Sequence, residues 1–173
     1  MSHKHSFISE LHMEAASTRK MLELVPVEKN DWKPHPKSMK LGNLAAHIAT
    51  LPSWIEMIIQ TDEFDLGTMD YEPTIAQSTE ELIAIHNLNL DKAIAALENA
   101  SEEDFEKIWT LRNGDHVIFS MPKKVVVRAS AISHIIHHRA QLGVYLRLLD
   151  VPLPGVYGPS ADEMAAMTAS STN

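Results

Sequence analysis

Apolar residues recur at three- and four-residue steps in four stretches of the chain, and each stretch predicts an amphipathic helix. Phe7, Leu11, Ala15, Thr18, Leu22 and Val25 share one face of a first helix over about Ser6 to Val25, which Pro26 ends. Trp32, Pro34, His35 and Pro36 then form a stiff connector, and Ser38 is the expected N-cap of a second helix reaching about Gln60. Leu44, His47, Leu51 and Trp54 line its inner stripe, flanked by Ile48, Ile55 and Ile58. Pro52 cannot donate to the Ile48 carbonyl and should kink this helix one turn after His47. Thr61 to Gln77, with Gly67 and Pro73, reads as loop. The capping-box pattern Ser78-Thr79-Glu80-Glu81 opens a third helix through Leu82, Ile85, Leu90, Ile94 and Leu97.

The period then changes. Lys107 to Arg112 and His116 to Phe119 flank Asn113-Gly114, the pattern of a small β-hairpin. After Pro122 a fourth helix runs from about Lys124 to Leu149, with Ala131, Ile135, His138, Leu142, Tyr145 and Leu149 as its core stripe. From Val151 onward Pro152, Pro154, Gly155, Gly158 and Pro159 predict an irregular tail, and the final Ser-Thr-Asn is expected to be disordered. These elements predict an all-α fold: a four-helix bundle with a small β-hairpin before the last long helix, in one domain over residues 1–173 without internal repeats.

Charge and composition narrow the function. A net charge of −8 argues against nucleic acid as partner, because phosphate binding needs clustered Lys and Arg. There is no cysteine, so any thiol in the chemistry must arrive as a substrate. Lys4, Glu10, Glu14, Arg19 and Lys20 interrupt the N-terminal stretch, which therefore lacks the apolar core of a signal peptide. No run reaches the about 18 apolar residues that cross a bilayer. No membrane partner is expected, and the expected compartment is the cytoplasm.

The chemistry-bearing residues are histidines. His134 and His138 stand four apart, so on a helix both can lean toward one ion. Ten histidines in 173 residues give roughly half of one such pair by chance, so the spacing alone decides little. Position adds more: His138 lies between Ile135 and Leu142, His134 is close to Ala131, and His47 is on the inner stripe of its own helix. Three inward imidazoles need partners for their nitrogens, and a shared cation would serve all three. Separate core histidines bonded to carbonyls or carboxylates are the competing reading at this point. His137 lies about 100° from His138 beside Ser130, Ser133, Ala140 and Val144, which predicts a packing or interface role. Arg139 and Arg147 read as lying away from the core stripe, solvated or facing an acidic partner. His12 and His86 read as helix-surface residues, and His3, His5, His35 and His116 form no second triad. No phosphate-cradling glycine loop, His-Glu-x-x-His or Gly-x-Ser-x-Gly is present. A general base, if one exists, would come from the loops or tail, with Asp162 and Glu163 as candidates.

Five segments carry a resemblance to a known family: Trp32-Lys-Pro-His-Pro-Lys-Ser-Met39, Leu44-Ala-Ala-His47-Ile, Trp109-Thr-Leu-Arg-Asn-Gly114, His134-Ile-Ile-His-His-Arg139-Ala-Gln141 and Tyr157-Gly-Pro-Ser-Ala-Asp162. With these the chain resembles the DinB superfamily, also described as DinB/YfiT-like metalloenzymes, over nearly its whole length. The resemblance implies a divalent metal site with one histidine on the second helix and a His-x-x-x-His pair on the fourth, here His47, His134 and His138. Ala140 departs from the glycine that relatives often carry after the arginine, away from any ligand position. The resemblance further implies a homodimer and a small-molecule substrate, with a low-molecular-weight thiol suggested by S-transferases and a mycothiol-dependent isomerase among relatives. Three protein ligands leave a position open, as in catalytic zinc sites. Zinc is the first expectation for the ion and nickel the second. The expected activity is a metal-dependent, thiol-dependent S-transferase. A metal-dependent hydrolase, a non-catalytic metal-stabilised stress or binding protein, and a helical domain without metal are the alternatives.

Overall fold

Helix ends fall where a partner exists for the free N–H groups of the first turn. In the computed structural model, which describes residues 2–69 and 72–171, helix α1 spans His3–Leu22 because the Ser2 hydroxyl caps it. It therefore begins three residues before the expected start. Helix α2 spans Leu41–Thr50 and helix α3 Ser53–Gln60, separated at Pro52 as the sequence predicts. Ser38 is not the cap of α2. Two connector carbonyls accept instead, with Leu41 N–H donating to Trp32 O at 2.8 Å and Gly42 N–H to Asn30 O at 3.0 Å. Gly42 is needed at this join, since a Cβ there would lie 2.8 Å from the Asn30 side-chain oxygen. Helix α4, Thr79–Asn99, starts at the predicted capping pattern: Ser78 Oγ accepts from Glu81 N–H at 3.1 Å, and the Glu81 carboxylate reaches back to Gln77 N–H at 2.7 Å.

The hairpin forms as strands β2, Ile108–Asn113, and β3, His116–Pro122. Asn113 pairs with His116, so Gly114-Asp115 is the two-residue turn, with Gly114 at φ 59° where a side chain would be strained. The stretch expected to be loop adds a third strand. Strand β1, Glu63–Asp65, lies parallel to β2 at the open edge of the hairpin. Polar ties hold it: Asp65 Oδ1 accepts from Gly67 N–H at 2.8 Å and Gly114 N–H at 2.9 Å, and Arg112 pairs with Glu63 and Asp65. Three residues fixed this way leave no hydrophobic period to read.

The last long helix begins as a short α5, Lys123–Val126, widens into a π-helical turn over Val127–Ile132, and continues as α6, Ser133–Leu148. The tail is irregular only up to residue 160. Helix α7, Ala161–Ser171, corrects the expectation of an irregular terminus. Ser160 Oγ accepts from Glu163 N–H at 3.1 Å, and the Glu163 carboxylate accepts from Ser160 N–H at 3.0 Å, a second capping box that the sequence displays as Ser160-Ala-Asp-Glu163. Of the terminal Ser-Thr-Asn, Ser171 ends this helix, while Thr172 and Asn173 lie outside the described residues.

Helices α1, α2–α3, α4 and α5–α6 form the bundle, with α4 packed on α1, α2 and α3, and α6 packed on α1 and α2. Its interior consists of two apolar clusters. One, around Leu51, Ile55, Phe105, Trp109, Ala131 and Ile135, lies toward the sheet. The other, around Leu22, Leu44, Ile48, Leu142 and Leu146, lies toward the connector. Along α2 and α6 the clusters meet at His47, His134 and His138.

Candidate metal centre

His47 sits one turn before the Pro52 break, half-buried with Leu44 and Ile48 fully buried beside it on a helix that is covered on most sides. On α6 the preceding π turn sets the direction. Ser133 N–H donates to Arg128 O, five residues back, and the extra residue in that turn rotates the following helix relative to α5. Such inserted turns occur often at functional sites. The structure brings together the three histidines singled out in the sequence. Ring centroids lie 5.1 Å apart for His47–His134, 4.6 Å for His47–His138 and 4.6 Å for His134–His138. One nitrogen from each ring falls within 4.8 Å of the others, close enough that the group could hold a metal ion.

The hydrogen bonds around the rings define which nitrogens are available. His138 Nδ1–H donates to Gln141 Oε1 at 2.7 Å, and His134 Nδ1–H faces the Ser130 carbonyl at 3.3 Å. Both acceptors fix the tautomer with the proton on Nδ1. The two Nε2 lone pairs then face each other at 2.8 Å. Neutral nitrogens in that position have nothing to donate to each other, and a shared cation could accept both lone pairs.

Electrostatics favours the neutral, ligating form. Burial, followed by the neighbouring His138 and His134, pushes the His47 imidazole down to about 4 from 6.5. His134 is lowered by burial and then by His138, against an opposing pull from the Ser130 carbonyl. Burial also lowers His138, against the Gln141 hydrogen bond. Three crowded rings in a partly desolvated site resist protonation.

Beside His47 opens a cavity of about 410 Å³, lined also by Thr50, Ser53, Trp54, Met57, Phe64 and Met69. Trp54 stands edge-on to His134 at 6.4 Å and tilted to Phe64 at 6.0 Å. Phe64 comes from β1, so the strand absent from the sequence reading builds one wall of the site. Only the aromatic residue itself signalled it.

The other candidates lie elsewhere. Asp162 and Glu163 do not line this cavity. Asp162 accepts from Arg147 at 2.5 Å and Leu153 N–H at 2.9 Å, and Glu163 from Gly155 N–H at 2.9 Å, so both fasten the tail. Arg139, expected away from the core, is 3% exposed: its Nη2 pairs with Glu14 at 2.6 Å and donates to Tyr157 Oη at 2.8 Å, while its Nη1 donates to Glu14 O at 3.0 Å. The acidic partner is internal. His86 is also buried, at 1% exposed, where a surface position was expected. Both its ring nitrogens lack a well-formed hydrogen bond, and burial lowers its pKa against a weaker opposing pull from the Ala15 carbonyl. His137 is exposed at the rim, 4.8 Å from His138, on a face with exposed Ser133, Ala140 and Val144.

A helical bundle with a three-histidine cluster opening on an apolar cavity is an architecture able to hold a metal ion. The DinB family profile matches residues 1–171, and the chain belongs to the DinB family. A DinB-like protein from Bacillus subtilis has a similar structure, with a TM-score of 0.68 at 21% identity over 87% of this chain and 97% of that one. One from Bacillus cereus gives 0.68 at 25% identity over 88% and 97%. No curated protein matches the sequence. Among the described residues, no helix is long and apolar enough to cross a membrane.

Proposed function

We propose that His47, His134 and His138 bind a divalent ion, zinc before nickel, and that the protein is a metal-dependent transferase joining a small thiol to an electrophile. The convergence of the His134 and His138 Nε2 lone pairs at 2.8 Å beside His47 supports this most directly. The donor set fits the ion: three neutral imidazoles, two with their outer nitrogens already hydrogen-bonded. A bound ion would supply Lewis-acid stabilisation of a developing anion such as a thiolate. The chain's own part is to orient the rings through Gln141 and the Ser130 carbonyl, and to keep bulk water from one side with Trp54, Met57 and Phe64. The absence of cysteine means the sulfur nucleophile comes with the substrate.

Elemental analysis of protein purified without an affinity tag or nickel resin gives the ion and its stoichiometry. The zinc-loaded protein, screened with glutathione, bacillithiol and mycothiol against model electrophiles, should turn over at least one pair, and the His138→Ala variant none. Equal rates for both proteins would refute the transferase reading. A homodimer with the exposed Ser133, His137, Ala140 and Val144 face at its interface completes this proposal, and light scattering of the Val144→Glu variant tests it.

A further inference from the structure

The cavity beside His47 has a composition that selects its occupant. Trp54, Met57, Phe64 and Met69 supply aromatic and thioether surface, with Ser53 as a small polar contribution. Among the described lining residues none is Asp, Glu, Lys or Arg. A carboxylate or ammonium group seated among Trp54, Met57, Phe64 and Met69, away from the histidine end, would lose hydration with no charged side chain to replace it. An aromatic ring would instead meet two aromatic side chains and two polarizable sulfurs. The volume, about 410 Å³, falls in the usual range for small-molecule sites and accommodates a one- or two-ring group.

We propose that this cavity binds an uncharged aromatic or bulky apolar group of the electrophilic substrate, with the reacting atom at the His47 end and any charged tail of the thiol outside. This specifies a substrate class for the site under Proposed function and depends on that reading only for which end of the substrate faces the histidines. A charged peptide thiol is then excluded from the cavity itself. Neutral aromatic electrophiles are preferred over charged ones of the same size.

Isothermal titration of the zinc-loaded full-length protein with 4-phenylimidazole, imidazole and 4-(imidazol-4-yl)benzoate tests the assignment, because each presents one ring nitrogen to the ion and the para carboxylate of the last cannot reach that ion. The phenyl compound should bind at least tenfold more tightly than imidazole, the carboxylate no more tightly than imidazole. The phenyl advantage should fall below threefold in Trp54→Ala, and in Phe64→Leu should that variant fold better. Equal binding of the phenyl and parent azoles, or preference for the carboxylate, overturns the cavity assignment while leaving metal binding intact. If no azole binds, but neutral N-phenyl-1-naphthylamine fluoresces equally with wild type and His138→Ala and not with Trp54→Ala, the cavity assignment stands and the metal reading falls.

Discussion

Acidification gives the sharpest test of the histidine cluster. Each ligand must be neutral to bind, so protons compete with the ion. For an ordinary imidazole with a pKa near 6.5, lowering the pH from 7.5 to 5.5 raises that competition from about 1.1-fold to about 11-fold. Three such ligands would weaken zinc binding by about a thousandfold. His47, held down to about 4 by burial and its two neighbours, stays neutral over this whole interval and contributes almost nothing to the loss. The ceiling is then about a hundredfold. Because burial lowers His134 and His138 as well, the fall should be smaller still. The sign follows from the direction: a folded-state pKa below the free value means occupancy persists to lower pH than three free imidazoles would allow. Competition with a chromophoric chelator calibrated at both pH values, on tag-free protein, measures the ratio. A fall of a thousandfold or more would show that the rings titrate as free imidazoles and refute the picture of a desolvated, mutually repelling cluster.

Gln141→Leu removes the 2.7 Å acceptor that fixes His138 and should weaken zinc binding about tenfold to a hundredfold, with the melting temperature of the metal-free protein unchanged. Glu14→Ala leaves the buried Arg139 guanidinium without its carboxylate and should cost about 3–5 kcal/mol in urea denaturation, whereas Glu14→Met with Arg139→Met should cost much less. His86→Met replaces a buried ring lacking good hydrogen bonds and should raise stability at pH 7 by about 1 kcal/mol. The folded-state pKa of His86 is depressed, so its contribution is present above about 6.5 and lost as pH falls below that. The variant should therefore lose less stability than wild type between pH 7 and 5, measured by denaturant midpoints.

The sequence determined what depends on neighbours along the chain. Apolar spacing set four helices, Ser78-x-x-Glu81 set the start of α4, Pro52 set the break after α2, and Asn113-Gly114 announced the hairpin, whose turn falls one residue later at Gly114-Asp115. His47, His134 and His138 were legible because each shares its helical face with buried leucine, isoleucine or alanine. Helix α7 was legible too, in Ser160-x-x-Glu163, but a preceding run of proline and glycine and a weak apolar stripe concealed it.

Only the tertiary structure decided what depends on residues distant in sequence. Whether three inward histidines meet depends on the helix rotation set by the π turn, whose wide hydrogen bond no local residue pattern announces. Arg139 goes inward because Glu14, 125 positions away, is there to receive it. His86 is buried because α1 covers it, although its own helix reads as surface there. Strand β1 exists only where an open hairpin edge and Arg112 await it, and with Phe64 it builds the cavity wall. Local propensity acts over a few residues, whereas desolvation and ion pairing act through space, so a single chain's periodicity reveals the first and not the second.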